Sequence, residues 1–90
     1  MKHGYYESKP KLLKRLNRAT GQIGGVAKMI ENDIYCIDIL TQISAVRSAL
    51  DKVALELIAD HTRHCMNEAD PKLKDGKATE LNAAIARLLK

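Results

Sequence analysis

From Asn32 to Met66 the chain runs without proline or glycine, its apolar side chains at helical spacing, and this stretch limits the possible fold more than any other. Opened by the break-and-cap pair Asn32-Asp33, it is expected to form one long helix. Within it stand Cys36, His61 and Cys65. His61 and Cys65 are four apart, so a helix sets both on one face, a turn apart and within reach of one metal ion. Cys36 lies upstream by roughly 37 Å at about 1.5 Å per residue. A straight helix cannot close such a set on itself. If the three act together, the helix must run antiparallel to a copy of itself and cross it near Ala49 and Leu50. A two-fold dimer then carries two identical sites.

The remaining segments fit around that helix. Residues 1–7 show no periodicity and are expected as a mobile arm. Ser8 stands as an N-cap, with Pro10 in the first turn. Leu12, Leu16, Ala19, Ile23, Val26 and Ile30 then recur in steps of four and three, a strip expected to lie against another helix. Gly21, Gly24 and Gly25 each lower helicity by about 1 kcal/mol relative to alanine, which points to close helix approach. In the long helix the band Ile39, Leu40, Ile43, Val46, Leu50, Val53, Ala54, Leu57 and Ile58 is wide enough to face both the first helix and a partner subunit. Asn67, Asp70, Pro71, Asp75 and Gly76 mark a loop, after which Asp75 would cap a third helix with the stripe Ala78, Leu81, Ile85 and Leu88. The expectation is one all-α domain over residues 1–90, with helices at about 9–31, 33–67 and 76–89.

Ninety residues leave a solitary core marginal, and with no Trp or Phe that core must be Leu, Ile, Val and Ala. Close helix packing and self-association are the expected remedy. The net charge is +4, and from Met1 to Glu31 seven Lys or Arg stand against two Glu, a bias suited to an acidic partner. No stretch reads as a signal peptide or a membrane span, so a cytoplasmic location without membrane contact is expected. There, the two cysteines serve as thiols or metal ligands more readily than as a disulfide.

Two thiolates and an imidazole without an obligatory carboxylate suit copper(I), which accepts trigonal coordination, whereas zinc normally wants a fourth ligand. Spacing alone leaves the bland reading open: two small buried hydrophobes and a surface histidine. His64 is a further possible ligand, though it points off the face shared by His61 and Cys65. The Cys and His pair stands on a helix without a Gly-rich oxyanion turn, so enzyme activity is not expected. Lys11, Arg15 and Arg18, with Lys14 beside them, line one side of the first helix as phosphate contacts would require.

The run from Tyr35 through Cys36 to Val46, followed by His61 and Cys65 and preceded by Arg15-Leu16 and Gly21-Gln22, resembles the copper-sensing operon repressors of the CsoR/RcnR family. The resemblance spans most of the chain. It implies an all-helical, disc-like tetramer built as a dimer of dimers, without a helix-turn-helix. The apo form would bind operator double-stranded DNA, and Cu(I) at an inter-protomer site would release it. The metal set falls on Cys36, His61 and Cys65, with Tyr35 and Glu80 as outer partners. DNA contact falls on Arg15 and on Lys52, where relatives commonly carry Arg, and Arg47 is the nearby substitute. Similar Ni(II) or Co(II) sensors recruit an N-terminal histidine, a part open to His3. Formaldehyde-sensing relatives need a proline where this chain has Lys2, and persulfide-sensing relatives lack the histidine found at His61. A helical interaction module with no ligand is the reading from a different class.

Overall fold

The computed structural model describes residues 4–90. A one-turn 3-10 helix (Tyr6–Ser8) leads into α1 (Lys9–Glu31), followed by α2 (Cys36–Met66) and α3 (Pro71–Leu88). The all-α expectation holds, with several boundaries moved for identifiable reasons. Residues from Gly4 onward are not a loose arm: the turn at Gly4 seats on α2, where a β-carbon would meet the carbonyl oxygen of Asp60 at 2.8 Å and the β-carbon of His64 at 2.9 Å. Only glycine fits so close an approach. Ser8 occupies the N-cap position of α1 but makes no side-chain cap bond, since the 3-10 turn hands the chain directly to the helix.

Asn32 and Asp33 close α1 rather than open α2. Asp33 takes a left-handed conformation (φ 55°), its N–H donating to the carbonyl of Ile30 at 3.1 Å, while the N–H of Ile34 reaches that of Met29 at 3.0 Å. Those two bonds satisfy carbonyls that a helix end would leave unpaired. α2 therefore begins at Cys36, with Tyr35 as N-cap and Asp38 in the first turn, where a carboxylate favours the helix dipole. α3 begins five residues earlier than expected. Asp70 is its N-cap, accepting from the Lys72 N–H at 2.9 Å, and Pro71 is its first residue. Proline lacks only an N–H that a first-turn residue does not use. Asp75 and Gly76 consequently lie inside the helix.

α1 folds back along α2, and α3 lies beside the C-terminal half of α2. The core is small: Leu12 and Ala19 of α1 with Val46, Val53 and Cys65 of α2. The α1 strip is split. Leu12 and Ala19 are buried and Val26 half-buried, whereas Leu16, Ile23 and Ile30 are left exposed. Gly21, Gly24 and Gly25 face open space, so they serve no close approach within the chain. The Cα extents are 56 × 27 × 14 Å. The molecule is thus a flattened plate, its third dimension a quarter of its first. Both faces of this plate lie open. No helix among the described residues is long and apolar enough to cross a membrane.

Candidate metal centre and nucleic-acid interface

The ends of α2 carry the candidate metal ligands. Cys36 is its first residue and exposed, beside the exposed N-cap Tyr35, whereas Cys65 is buried in the last turn and His61 is half-buried one turn earlier. Both cysteines are free thiols. At about 1.5 Å per residue, the 31-residue helix holds the two groups at opposite ends of a rod roughly 46 Å long. Among the described residues, no three His, Cys, Asp or Glu side chains of one chain gather to hold a metal. The pair at one end needs a thiol from elsewhere. Two thiolates and an imidazole form a donor set that matches copper(I).

Along α2, one seam joins the two ends: Cys36, Leu40, Ile43, Arg47, Leu50, Ala54, Leu57 and His61, in alternating steps of four and three, all exposed except the half-buried Ala54 and His61. Leu40, Ile43, Leu50 and Leu57 are all exposed in the single chain. The seam is symmetric under reversal about a point between Ser48 and Ala49. Reversal matches Cys36 to His61, Leu40 to Leu57, Ile43 to Ala54 and Arg47 to Leu50. A regular four-three seam is what antiparallel helices interdigitate. In an antiparallel pair, a register that buries these apolar residues would also set Cys36 against His61.

Beside His61, the C-terminal half of α2 and the inner side of α3 bound a groove of about 620 Å³, lined also by Tyr5, His64, Lys77, Glu80 and Leu81. Glu80 and His61 thus share one groove, although the sequence separates them by nineteen residues. His64 is exposed and lines the same groove. His3 lies outside the described residues. The position of α3 is fixed by Lys77, whose ammonium donates to Glu68 Oε2 at 3.0 Å, and by the Asp70 N–H, which donates to Glu68 Oε1 at 3.3 Å. The Lys77 hydrogen bond, followed by that from Asp70, holds the Glu68 carboxyl below its ordinary value.

Sequence reading missed a charged cluster on the turn before the ligands. Asp60 is buried at 3% exposure and accepts from Arg63 through Oδ1, while Oδ2 has no hydrogen-bond partner among the described residues. Arg63 also lies 4.0 Å from Glu56, which pairs in turn with Lys11 of α1. A signal was available, because Asp60 continues the seven-residue register of Ile39, Val46 and Val53, the face of α2 turned toward α1. A charge on that register must find a partner.

On the opposite side, Arg15, Arg18 and Gln22 of α1 and Ser48 and Lys52 of α2 line a second groove, of about 260 Å³. The basic residues expected from two separate helices therefore meet in one place. Lys11 is offset from them by its pairing with Glu56, Lys14 is exposed beside them, and Arg47 is not part of that groove.

A family model described as metal-sensitive transcriptional repressor matches residues 8–87. The chain is 53% identical to the copper-sensing transcriptional repressor RicR of Mycobacterium tuberculosis, over 98% of this chain and 95% of that protein. It is 43% identical to the copper-sensing repressor CsoR of Bacillus subtilis, over 99% of this chain and 82% of that one. Its fold is similar to the crystal structure of CsoR with Cu(I) from Geobacillus thermodenitrificans, with a TM-score of 0.81 and 40% identity over 93% of this chain and 88% of that one. The nickel-responsive transcriptional regulator InrS is similar at a TM-score of 0.75 and 37% identity, over 87% and 89% of the two chains.

Proposed function

Because the chain belongs to the family of metal-sensitive transcriptional repressors, we propose that it is a copper(I)-responsive repressor whose metal site spans two protomers. The observation that carries this reading is the reversal symmetry of the α2 seam, by which an antiparallel partner would set its His61 opposite Cys36, with its Cys65 one turn further on. These three residues hold the ion. Copper(I) supplies no catalysis there and serves as the effector of a cytoplasmic, non-enzymatic regulator. Tyr35, beside Cys36, and Glu80, in the groove beside His61, are placed to act on the ligands from outside the first layer. The second exposed strip, Leu16, Ile23 and Ile30, lets the plate-like dimers join into a tetramer.

Operator DNA is held in the apo form by the basic groove. Arg15, Arg18 and Lys52 form its contact set, Lys14 adds charge beside it, and Lys11 contributes only in competition with Glu56. Arginine can grip a phosphate through two parallel hydrogen bonds, whereas Lys52 offers a point charge. Arg15 and Arg18 therefore contribute most of the positioning.

A nickel or cobalt response is the second reading, favoured by His64, which lines the same groove as His61 and adds an imidazole to the donor set. Anaerobic titration of the operator complex decides between them. Stoichiometric Cu(I) should release the DNA and produce thiolate charge-transfer absorption, with one ion per protomer. Release by Ni(II) and not by Cu(I) selects the second reading. The DNA face is tested by Arg15→Ala, which should weaken operator binding and flatten its salt dependence by about one phosphate contact per protomer without changing copper affinity of the free protein.

A further inference from the structure

Seven of the eight positions on the α2 seam are apolar or metal-binding, and the eighth is Arg47. An arginine at the centre of a helix-helix seam is costly to desolvate unless a carboxylate meets it. Two copies of it would also lie close together, since reversal about the point between Ser48 and Ala49 offsets them by only three residues, roughly 4.5 Å along the axis. Within the described residues of its own chain, Arg47 forms no ion pair, nor does Asp51, and both are exposed. An arginine four residues ahead of an aspartate on one helix is the weaker orientation for an intrahelical pair. Arg47 is also absent from the basic groove. Lys52 is five residues further along and turned about 140° away.

We propose that Arg47 pairs with Asp51 of the partner protomer, and that the two symmetric pairs lock the register of the antiparallel α2 helices. Reversal matches Arg47 to Leu50 of the partner, one residue from the partner's Asp51, on the flank where a long guanidinium reaches beyond the apolar layer. Each carboxylate then separates the two guanidinium groups and neutralises one of them. The remaining seam residues tolerate slippage, because leucine, isoleucine and alanine meet one another in many registers. A slip by one heptad would set Arg47 against Ile43, with no carboxylate beside it, or against Leu57, whose neighbour Glu56 lies on the opposite flank and is already paired with Lys11. It would also carry Cys36 away from His61. The pair therefore selects the alignment in which the metal site closes.

This inference rests on the antiparallel dimer proposed above, and charge exchange separates the failure of one from the failure of the other. Subunit association of the full chain, measured by sedimentation equilibrium without metal, should weaken roughly tenfold or more in Arg47→Asp and in Asp51→Arg. The doubly exchanged chain, R47D with D51R, should associate within about threefold of the original, recover its helical circular dichroism and bind one Cu(I) per protomer. Single variants that associate as tightly as the original overturn the pair and leave the dimer standing, as does a double variant no better than the singles. An original chain that stays monomeric while binding copper overturns both. Arg47→Gln should leave the salt dependence of operator binding unchanged, and a loss of about one phosphate contact per protomer assigns Arg47 to DNA and overturns the pair.

Discussion

Cys36 and His61 differ in what surrounds them, and their substitutions should separate metal binding from signalling. Cys36 stands exposed at a helix start next to the N-cap Tyr35, whereas His61 is half-buried in the groove that α3 bounds with Glu80. Copper can release DNA only by binding the DNA-free conformation more tightly, and that coupling is reciprocal. A ligand in contact with the α3 groove can carry it. Cys36→Ala is expected to lose most copper affinity yet still bind operator, whereas His61→Ala keeps appreciable affinity through two thiolates and releases DNA poorly. Full release by His61→Ala in a fluorescence anisotropy titration would make the imidazole a spectator. At this scale the sequence could nominate a candidate ligand set, because helical spacing and donor chemistry are local properties. The Lys11–Glu56 and Arg63–Asp60 pairs differ in this respect. The first joins residues of separate helices and became visible only once α1 and α2 were packed.

Among the helices, α3 shows where local signals compete. Asp70-Pro71 and Asp75-Gly76 both read as starts, and treating the proline as a breaker favours the wrong one. The first wins because proline suits a first helical residue and Asp70 can cap it. Asp70→Ala should lower stability by about 1 kcal/mol in urea melts, the usual loss for an N-cap. The same junction should respond to pH. Glu68 is held below its ordinary value by Lys77, so the clamp contributes fully above the ordinary carboxylate range and is lost as pH falls through the lowered value. Amide protection factors in α3, taken relative to the intrinsic exchange rate at each pH, should therefore fall on acidification, and Lys77→Gln should remove that component while raising the Glu68 titration midpoint measured by NMR. A Glu68 midpoint unmoved by the substitution would assign the shift to the backbone donors. The Asn32-Asp33 turn teaches the same lesson, since asparagine and aspartate serve helix ends as well as helix starts.

The exposed apolar surface of the single chain argues for an assembly. Among the described residues its core holds five apolar side chains, and the flattened plate leaves Leu40, Ile43, Leu50 and Leu57 on one seam and Leu16, Ile23 and Ile30 on another open to water. A partner could be argued for from α2 alone, because no straight helix can unite Cys36 with His61. Which apolar residues would serve that partner was not legible, since the strip on α1 divides between intrachain packing and open surface in a way that periodicity does not specify. Complementation tests the assembly directly. When Cys36→Ala and Cys65→Ala protomers are mixed and refolded together, each heterodimer holds one site lacking both thiols and one intact site, made of Cys36 from the second variant and His61 and Cys65 from the first. Random mixing should restore about a quarter of the original copper capacity, although neither variant alone supports the three-ligand site. The restored fraction should show the thiolate absorption and tight affinity of the unsubstituted protein in an anaerobic competition titration with a chelator. If native mass spectrometry detects the heterodimers but their copper capacity is no greater than that of the separate variants, the three ligands do not meet across antiparallel α2 helices.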